Sequence, residues 1–382
     1  MRLVFFAGVV PTSPTFFRRV CLVAKYLGKK GCSVKILCLS QSYYSGKREE
    51  SPPGFDIEFV GQYHHDQKFR RLHPIFYLPE LFRIALRSLR AITLFRPGVV
   101  HIFTAHPSSL FLLVLLRIFG YKACIDLDDL NSAQAQAAGY SQMAVKIYSF
   151  LESIVPGMAF KITVCSHFLL KKYPGAVLLP NMYDREEISR LPVGKGREGK
   201  WTVVVYMGMM GHYHGEKKII KMIPHVLRQE KHVRFLFIGW GEGEGETRTL
   251  ARRLNVQRHV RFTGRLPYRS AMKRLASCHI GLLPMEDAPL FRARHPLKMI
   301  DYMAAGVCCI ASDVGEAGHF IKDGVSGVLC SPGNNKGLAQ KIVELVRHPK
   351  IRKKIGRKGR HAVSVLEVRR HIKKWEDLYR QQ

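Results

Sequence analysis

Short β-branched and aromatic runs alternate with stretches of helical period along the whole chain. In the C-terminal half the order is WTVVVYMG, EKKIIKMIPHVLRQE, VRFLFIG, ETRTLARRLNV, HVRFTG, YRSAMKRLAS and HIGLLP. It continues through a helix over 296–305, then GVCCIAS, GVSGVLC and NKGLAQKIVELVRH. Strand and helix in turn at this spacing predict a doubly wound parallel sheet, because parallel neighbours need a crossover connection. The N-terminal half repeats the pattern less cleanly, with RLVFFAG, a helix over 15–30, CSVKILCLS, PGVVHIF, YKACIDL, KITVCS and AVLLP. Between the halves lies DREEISRLPVGKGREGK, residues 184–200, a polar stretch with Pro and Gly that reads as a linker. Two α/β domains are therefore expected, and 382 residues is long for one hydrophobic core and comfortable for two.

Open α/β sheets place their ligand sites at the carboxyl ends of the strands. Two such sheets are expected to turn those ends toward each other across a cleft, an arrangement suited to joining two substrates. One helix in the second half raises a question of its own. Helical spacing puts Asp301 on the same face as Leu297, Ile300 and Ala304, which are expected to be buried, so its carboxylate needs a partner or a task.

Composition is that of an ordinary folded chain, 47% hydrophobic and 24% charged, which excludes disorder, collagen and a coiled coil. Charge changes the picture. With 61 Lys+Arg against 29 Asp+Glu the formal net charge is +32, which implies a polyanionic partner such as an anionic membrane, a phosphate-bearing substrate or nucleic acid, unless the whole proteome is basic. Nine cysteines without C-x-x-C or Cys/His ligand spacing predict buried free thiols in a reducing cytosol. The run LVFFAGVV is short and fits a first core strand better than a signal peptide. SLFLLVLLRIFG falls short of the ~20 residues that span a bilayer.

Several segments in order resemble retaining nucleotide-sugar glycosyltransferases of the GT-B fold, the group 1 or family 4 type. They are YMGMMGHYHG (206–215), FIGWGEG (237–243), HVRFTGRLP (259–267), GLLPMEDAPLFRARHPLKMIDYMAAGVCCIASDVG (281–315) and KDGVSGVL (322–329). TVCSHFLLKKY and LLPNMYD resemble the segment before the interdomain linker, and HIKKWEDLYRQQ the helix that returns to the first domain. The resemblance implies an acceptor-binding Rossmann-like domain over 1–186, completed by 366–382. It implies a donor-binding domain over 187–365. The implied reaction is transfer with retention from a nucleotide-diphosphate sugar to a lipid-linked or saccharide acceptor, without metal or cofactor.

Residue chemistry in the second half agrees. A diphosphate suits a helix N-terminus, where free N–H groups and the macrodipole favour anions, and Pro296, Leu297, Arg294 and His295 stand at such a start. Lys298 is expected to meet the charge of the leaving diphosphate, and Asp301, one turn on, to accept from the ribose hydroxyls. The alternative for Asp301 is an ion pair with Lys298 at the edge of the helix face. Backbone amides around Gly208, Met209 and Gly211, with His214, can cradle phosphate, and Gly241 belongs to a second glycine cluster. Arg265 and Leu266 fall where the resemblance places the nucleobase. The family's first Glu is replaced by Ala293, for which Glu286 or Asp287 could substitute. The family's Arg and Lys in the Gly-rich loop are replaced by Met209 and His214.

On the acceptor side, the strand-to-helix loop GVVPTSPTFFRR offers Pro14, Thr15 and Arg18, although Arg18 and Arg19 taken singly read as surface residues. IDLDDLN ends a strand with Asp126, Asp128 and Asp129. The resemblance casts Asp128 or Asp129 as the group that orients or deprotonates the acceptor hydroxyl, and Asp126 as inward and structural. His101 and His106 flank another strand end, where packing is the commoner fate of a histidine.

Residues 68–96 carry seven Lys/Arg and one acid, with Arg83, Arg87 and Arg90 on the helical face opposite Leu78, Leu81, Leu89 and Ile92. Such a helix is either interfacial, at an anionic membrane, or an ordinary surface helix with its apolar side in the core. The first reading predicts a cytoplasmic enzyme, peripheral on the inner face of the membrane, that builds a surface polysaccharide or glycolipid. A rival is a catalytically silent nucleotide-binding module of the same fold. Specific nucleic-acid binding lacks any reader motif.

Overall fold

In the computed structural model the chain divides into two units, Met1–Met182 with Val368–Gln382, and Tyr183–Glu367. The structure describes residues 1–8, 15–40, 54–62, 78–190, 200–211 and 213–380.

The first unit is built on seven parallel strands in the order β3-β2-β1-β4-β5-β6-β7. These are β1 Arg2–Ala7, β2 Ser33–Ser40, β3 Asp56–Gln62, β4 Val99–Phe103, β5 Ala123–Leu127, β6 Lys161–Val164 and β7 Val177–Leu178. β1, β4 and β5 are buried along nearly their whole length, as expected of strands covered by helices on both faces. β3 was not among the sequence-predicted strands. It is an edge strand, and its Gly61 lies where a Cβ would sit 2.4 Å from Ile84. The helix predicted over 15–30 begins as a π-helical turn, Phe16–Cys21, and continues as Leu22–Gly28. The C-terminal helix Val368–Arg380 packs within this unit. Its fully buried Trp375 stacks on Phe103 at 6.3 Å, and Tyr379 Oη lies 2.6 Å from His101 Nδ1.

The second unit has six parallel strands in the order β10-β9-β8-β11-β12-β13. They are β8 Thr202–Met207, β9 Val233–Ile238, β10 Val260–Phe262, β11 Ile280–Leu283, β12 Cys308–Ser312 and β13 Val328–Cys330, each inside a predicted run. Aliphatic and aromatic side chains of these strands meet the helices Glu216–Gln229 and Asn335–Arg347 in one core. The chain order reverses between β8 and β11, the switch point where open α/β sheets take ligands. These two strands pair only at Ile280 with Val204 and Gly281 with Val205 before they diverge. Tyr302 holds the gap. Its hydroxyl accepts from the Met207 amide at 2.9 Å and donates to the Leu282 carbonyl at 3.2 Å, and its ring lies where a Cβ on Gly281 would be 2.5 Å away.

Candidate functional site

At the carboxyl end of β8 the backbone continues as Gly208-Met209-Met210-Gly211, alongside the Gly239-Trp240-Gly241 run that leaves β9. The Gly208 amide donates to the Ile238 carbonyl and the Met210 amide to the Trp240 carbonyl, both at 2.9 Å. The second glycine cluster is explained by this approach. A Cβ on Gly239 would stand 1.9 Å from the Gly208 oxygen and one on Gly241 2.0 Å from the Met210 oxygen, and both have positive φ, +143° and +153°. Two glycine-rich loops are thus laced together at the switch point, beside the N-terminus of the helix Glu216–Gln229.

Lys298 enters this place from the helix Leu297–Ala304, whose N-cap is Pro296. Its Nζ donates to Tyr206 Oη at 3.1 Å, sits 4.2 Å from the centre of the Tyr206 ring, and would be 3.0 Å from a Cβ on Gly208. Tyr206 Oη in turn lies 2.7 Å from the Met209 carbonyl and 3.0 Å from the His214 carbonyl, so one hydroxyl pins both ends of the loop. Burial, with the Arg294 charge adding to it and Glu216 opposing it, pushes the Lys298 ammonium down to about 7. A bound diphosphate would meet an amine poised to take a proton.

Sequence reasoning missed Glu216. Its side chain is buried, and neither carboxylate oxygen has a hydrogen-bond partner at good geometry, although its own amide and that of Gly211 favour its charged form. Burial outweighs those amides and raises its pKa. The signal was a Glu just after Gly215, which ordinarily reads as an exposed partner of the helix dipole.

Asp301 is buried and accepts from Tyr268 Oη at 2.9 Å. The alternative ion pair with Lys298 does not form, because that ammonium turns to Tyr206. Leu297, expected in the core, is half-buried. His295 is buried and Arg294 half-buried, its guanidinium 5.3 Å from the Tyr213 ring. Met209 is 44% exposed, and Gly211 and His214 lie in the same loop. Arg265 is exposed and stacks over Trp240 at 4.6 Å, with half-buried Leu266 beside it. Glu286 and Asp287 are both exposed and engaged, the first with Lys218, the second by a two-pronged pair with Arg292 at 2.6 and 2.7 Å, while Ala293 is fully buried.

In the first unit the reversal falls between β1 and β4. Thr104, just past β4, has φ +78°, a genuine outlier for a β-branched residue. Its amide donates to the Asp126 carbonyl at 2.8 Å, its oxygens accept from Ser109 Oγ at 2.9 Å and Asn131 Nδ2 at 3.2 Å, and a Cβ on Gly8 would be 3.5 Å from it. The strained residue thus sits at the switch point of the first sheet, held by these hydrogen bonds. His106 caps the helix Pro107–Ile118, its Nδ1 2.9 Å from Ser108 Oγ. His101 is fully buried against Phe103 and Tyr379, and burial drives its pKa down to about 4.

Asp128 and Asp129 follow β5, both half-buried. Burial first, then the charges of Asp126 and Asp129, push Asp128 up to about 7, against the pull of Arg19. Asp129 accepts from the Leu130 amide at 3.0 Å. Asp126 is fully buried, accepting from Arg19 and from Thr163 Oγ1. The expectation of surface positions for Arg18 and Arg19 is corrected here. Arg19 pairs with Asp126 and Asn181, and Arg18 is buried and donates to the Met182 carbonyl at 2.8 and 3.0 Å. Thr15 is half-buried just before the first helical turn, and Pro14 lies outside the described residues. Among the described residues no group of three or more His, Cys, Asp or Glu gathers as metal ligands.

The helix Leu78–Phe95 keeps its predicted faces in part, with Leu89 and Ile92 buried and Arg83 and Arg90 exposed. Leu78 is exposed, as are Phe82, Leu86 and Leu94, while Arg87 turns toward Glu80 at 3.8 Å and only Arg83 and Arg90 stand fully outward. Residues 68–77 lie outside the described residues. No helix among those described is long and apolar enough to cross a membrane.

Residues 189–362, which carry both glycine loops and the Lys298 helix, match the family of glycosyl transferases group 1. That match spans a little under half of the chain. It is 26% identical over 177 residues to the putative glycosyltransferase EpsD of Bacillus subtilis, covering 46% of this chain and 45% of that protein. It is 27% identical over 189 residues to the phosphatidyl-myo-inositol mannosyltransferase of Mycobacterium leprae, 49% of each. The matches thus span about half the length of these relatives. As a fold, the chain superposes on sucrose-phosphate synthase from Thermosynechococcus elongatus with a TM-score of 0.82 at 17% identity, over 100% of this chain and 99% of that one. Anabaena HepE in complex with UDP-glucose gives 0.75 at 14% identity, over 100% of each. The architecture is GT-B.

Proposed function

We propose that this protein is a glycosyltransferase that moves a sugar, with retention and without metal, from a nucleoside diphosphate sugar to a lipid-linked or saccharide acceptor. The observation that carries the reading is the meeting of two laced glycine loops, the N-terminus of the helix Glu216–Gln229 and the Lys298 ammonium at the β8/β11 switch point. Every component favours an anion. The diphosphate lies among these groups, and Lys298 and Arg294 meet the charge that grows on it as the glycosidic bond breaks, which is preorganised electrostatic catalysis. Asp301, steadied by Tyr268, accepts from the ribose hydroxyls. Arg265 on Trp240, with Leu266, borders the base. In the first unit Asp128, whose pKa of about 7 suits a general base near neutrality, receives or orients the acceptor hydroxyl with Asp129, beside Thr104 and His106.

A lipid acceptor at an anionic, cytoplasmic membrane face is favoured by one surface of the first unit. Phe82, Leu86 and Leu94 are exposed on the helix Leu78–Phe95, and Val114, Ile118 and Phe119 on its neighbour, with Phe82 and Phe111 in edge contact at 6.5 Å. Arg83 and Arg90 stand among them. Apolar side chains inserted at the headgroups, flanked by arginines, describe an interfacial surface. Products of surface polysaccharide or glycolipid synthesis fit such an acceptor.

The test is release of nucleoside diphosphate from UDP-, GDP- and ADP-sugars by the full chain, with and without anionic vesicles carrying polyprenyl- and phosphatidylinositol-type lipids. Transfer that disappears in Lys298→Met supports the reading. Tight nucleotide binding with no release from any donor returns the chain to the silent-module alternative.

A further inference from the structure

The helix Pro349–Ala362 reads PKIRKKIGRKGRHA and holds no acid. Arg352 is buried and bonded to Thr202 Oγ1 and the Leu345 carbonyl, so it is structural. Lys350, Lys353, Lys354, Arg357, Lys358 and Arg360 have no ion-pair partner among the described residues. Lys350 with Lys354, Lys353 with Arg357 and Lys354 with Lys358 are like charges at i,i+4, each costing the isolated helix about 0.2–0.5 kcal/mol. Three such repulsions without one compensating carboxylate are what a binding surface tolerates and a mere scaffold sheds.

Beside the C-terminal half of this helix opens a cavity of about 460 Å³, lined by Phe320, Lys322, Val325, Arg357, Lys358 and His361 with parts of Ser326 and Ala362. Helix and loop are drawn together at Gly359, where a Cβ would be 2.5 Å from the Ser326 carbonyl oxygen. The loop's own acid, Asp323, accepts from the Leu329 amide at 2.8 Å, and no ion pair joins it to the Lys322 ammonium. The place is separate from the donor site. The loop enters β13 and Gly356 packs on the Gly306 turn that enters β12, so the cavity sits at the amino ends of the strands, whereas the glycine loops leave their carboxyl ends.

We propose that this cavity is a second, phosphoryl-group site. It takes a ligand with a phosphate monoester or diphosphate beside a short apolar portion. Lys322, Arg357 and Lys358 neutralise the phosphate, His361 adds a hydrogen bond, and Phe320 and Val325 receive the apolar part. Lys322, Arg357, Lys358 and His361 are all exposed and the cavity wall is mainly apolar, so the apolar portion enters the cavity and the phosphate is met at its mouth, where each contact becomes a charge-assisted hydrogen bond. Such a group comes either from a small phosphorylated metabolite or from a lipid headgroup.

The test is lysine acetylation of the full chain read by mass spectrometry, with pyrophosphate, with phosphatidylcholine vesicles containing phosphatidic acid, or with phosphatidylcholine alone. The readout is residue-resolved, so anion binding near Lys298 does not confuse it. Lys322 and Lys358 should be protected about tenfold with the probe at about nine times its Kd. Lys353, on the same helix but outside the cavity, should keep its reactivity. Arg357→Gln should abolish the protection, and Arg360→Gln should leave it. Protection by pyrophosphate assigns a free phosphorylated ligand, and protection by phosphatidic acid alone assigns the headgroup. Equal protection of Lys353, protection that survives Arg357→Gln, or none with either probe overturns the site.

Discussion

Lys298 Nζ lies 3.1 Å from Tyr206 Oη and over the Tyr206 ring, with its ammonium pushed down to about 7 by burial and by Arg294. Near pH 8 the free protein therefore holds a largely neutral amine, and a bound diphosphate restores its proton. Binding should take up close to one proton at that pH. In calorimetry the observed enthalpy then varies with the ionisation heat of the buffer, and Lys298→Met removes the dependence. The stability sign follows from the same shift. The unfolded lysine titrates near 10.5, so between about 7 and 10.5 the unfolded chain binds the extra proton and stability gains with rising pH relative to Lys298→Met.

Glu216 titrates the other way. Its pKa is raised by burial, so above the unfolded value of 4.5 the folded chain holds the proton longer, and its contribution to stability falls as pH rises. Glu216→Gln removes the cost of an ionised carboxylate without ideal donors. The variant's melting temperature should gain on wild type from pH 5 to pH 8, by an amount set by a penalty of about 1–3 kcal/mol.

Arg19 and Asp126 form a fully buried pair. Arg19→Met strands a carboxylate in the core of the first unit, and urea unfolding should register a loss of about 3–5 kcal/mol. The double variant Arg19→Met, Asp126→Leu should recover much of it, because no uncompensated charge remains.

Twelve of the thirteen strands among the described residues, and with them two parallel sheets, were legible in the alternation of short β-branched runs with amphipathic stretches. β3 escaped because DIEFVGQ is an edge strand with only three large apolar residues, separated by Phe55 alone from Pro52, Pro53 and Gly54. The Lys298 helix could be read from local spacing, since Pro296, Lys298 and Asp301 fall within two turns. What surrounds it could not. Arg19 and Asp126 are 107 positions apart, Tyr268 and Asp301 33, and Lys298 and Tyr206 92, and nothing local to either partner announces the pairing. Glu216 and Thr104 were hidden for a related reason. Their importance lies in burial and in a strained φ, which only the fold supplies.

Gly239 is a backbone test of the laced loops. A Cβ there would be 1.9 Å from the Gly208 oxygen at φ +143°, so Gly239→Ala must push the two loops apart. Loss of about 1 kcal/mol or more in stability is expected, with a larger loss in nucleotide affinity. Gly245→Ala on the next helix meets nothing within 4 Å and should raise stability by about 0.4–1 kcal/mol while leaving nucleotide affinity unchanged, by thermal unfolding and titration.

The central claim is that the second unit binds a nucleoside diphosphate through Asp301. Titration of the full chain with UDP, GDP, ADP and dTDP, in wild type and in Asp301→Asn, tests it most directly. At least one nucleotide should bind saturably. The variant should bind it about 10- to 100-fold more weakly, the equivalent of 1.5–3 kcal/mol for hydrogen bonds to a charged group, with its melting temperature little changed. If no nucleotide binds, or the preferred one binds both proteins equally, Asp301 is a buried partner of Tyr268 and the donor site proposed here is wrong.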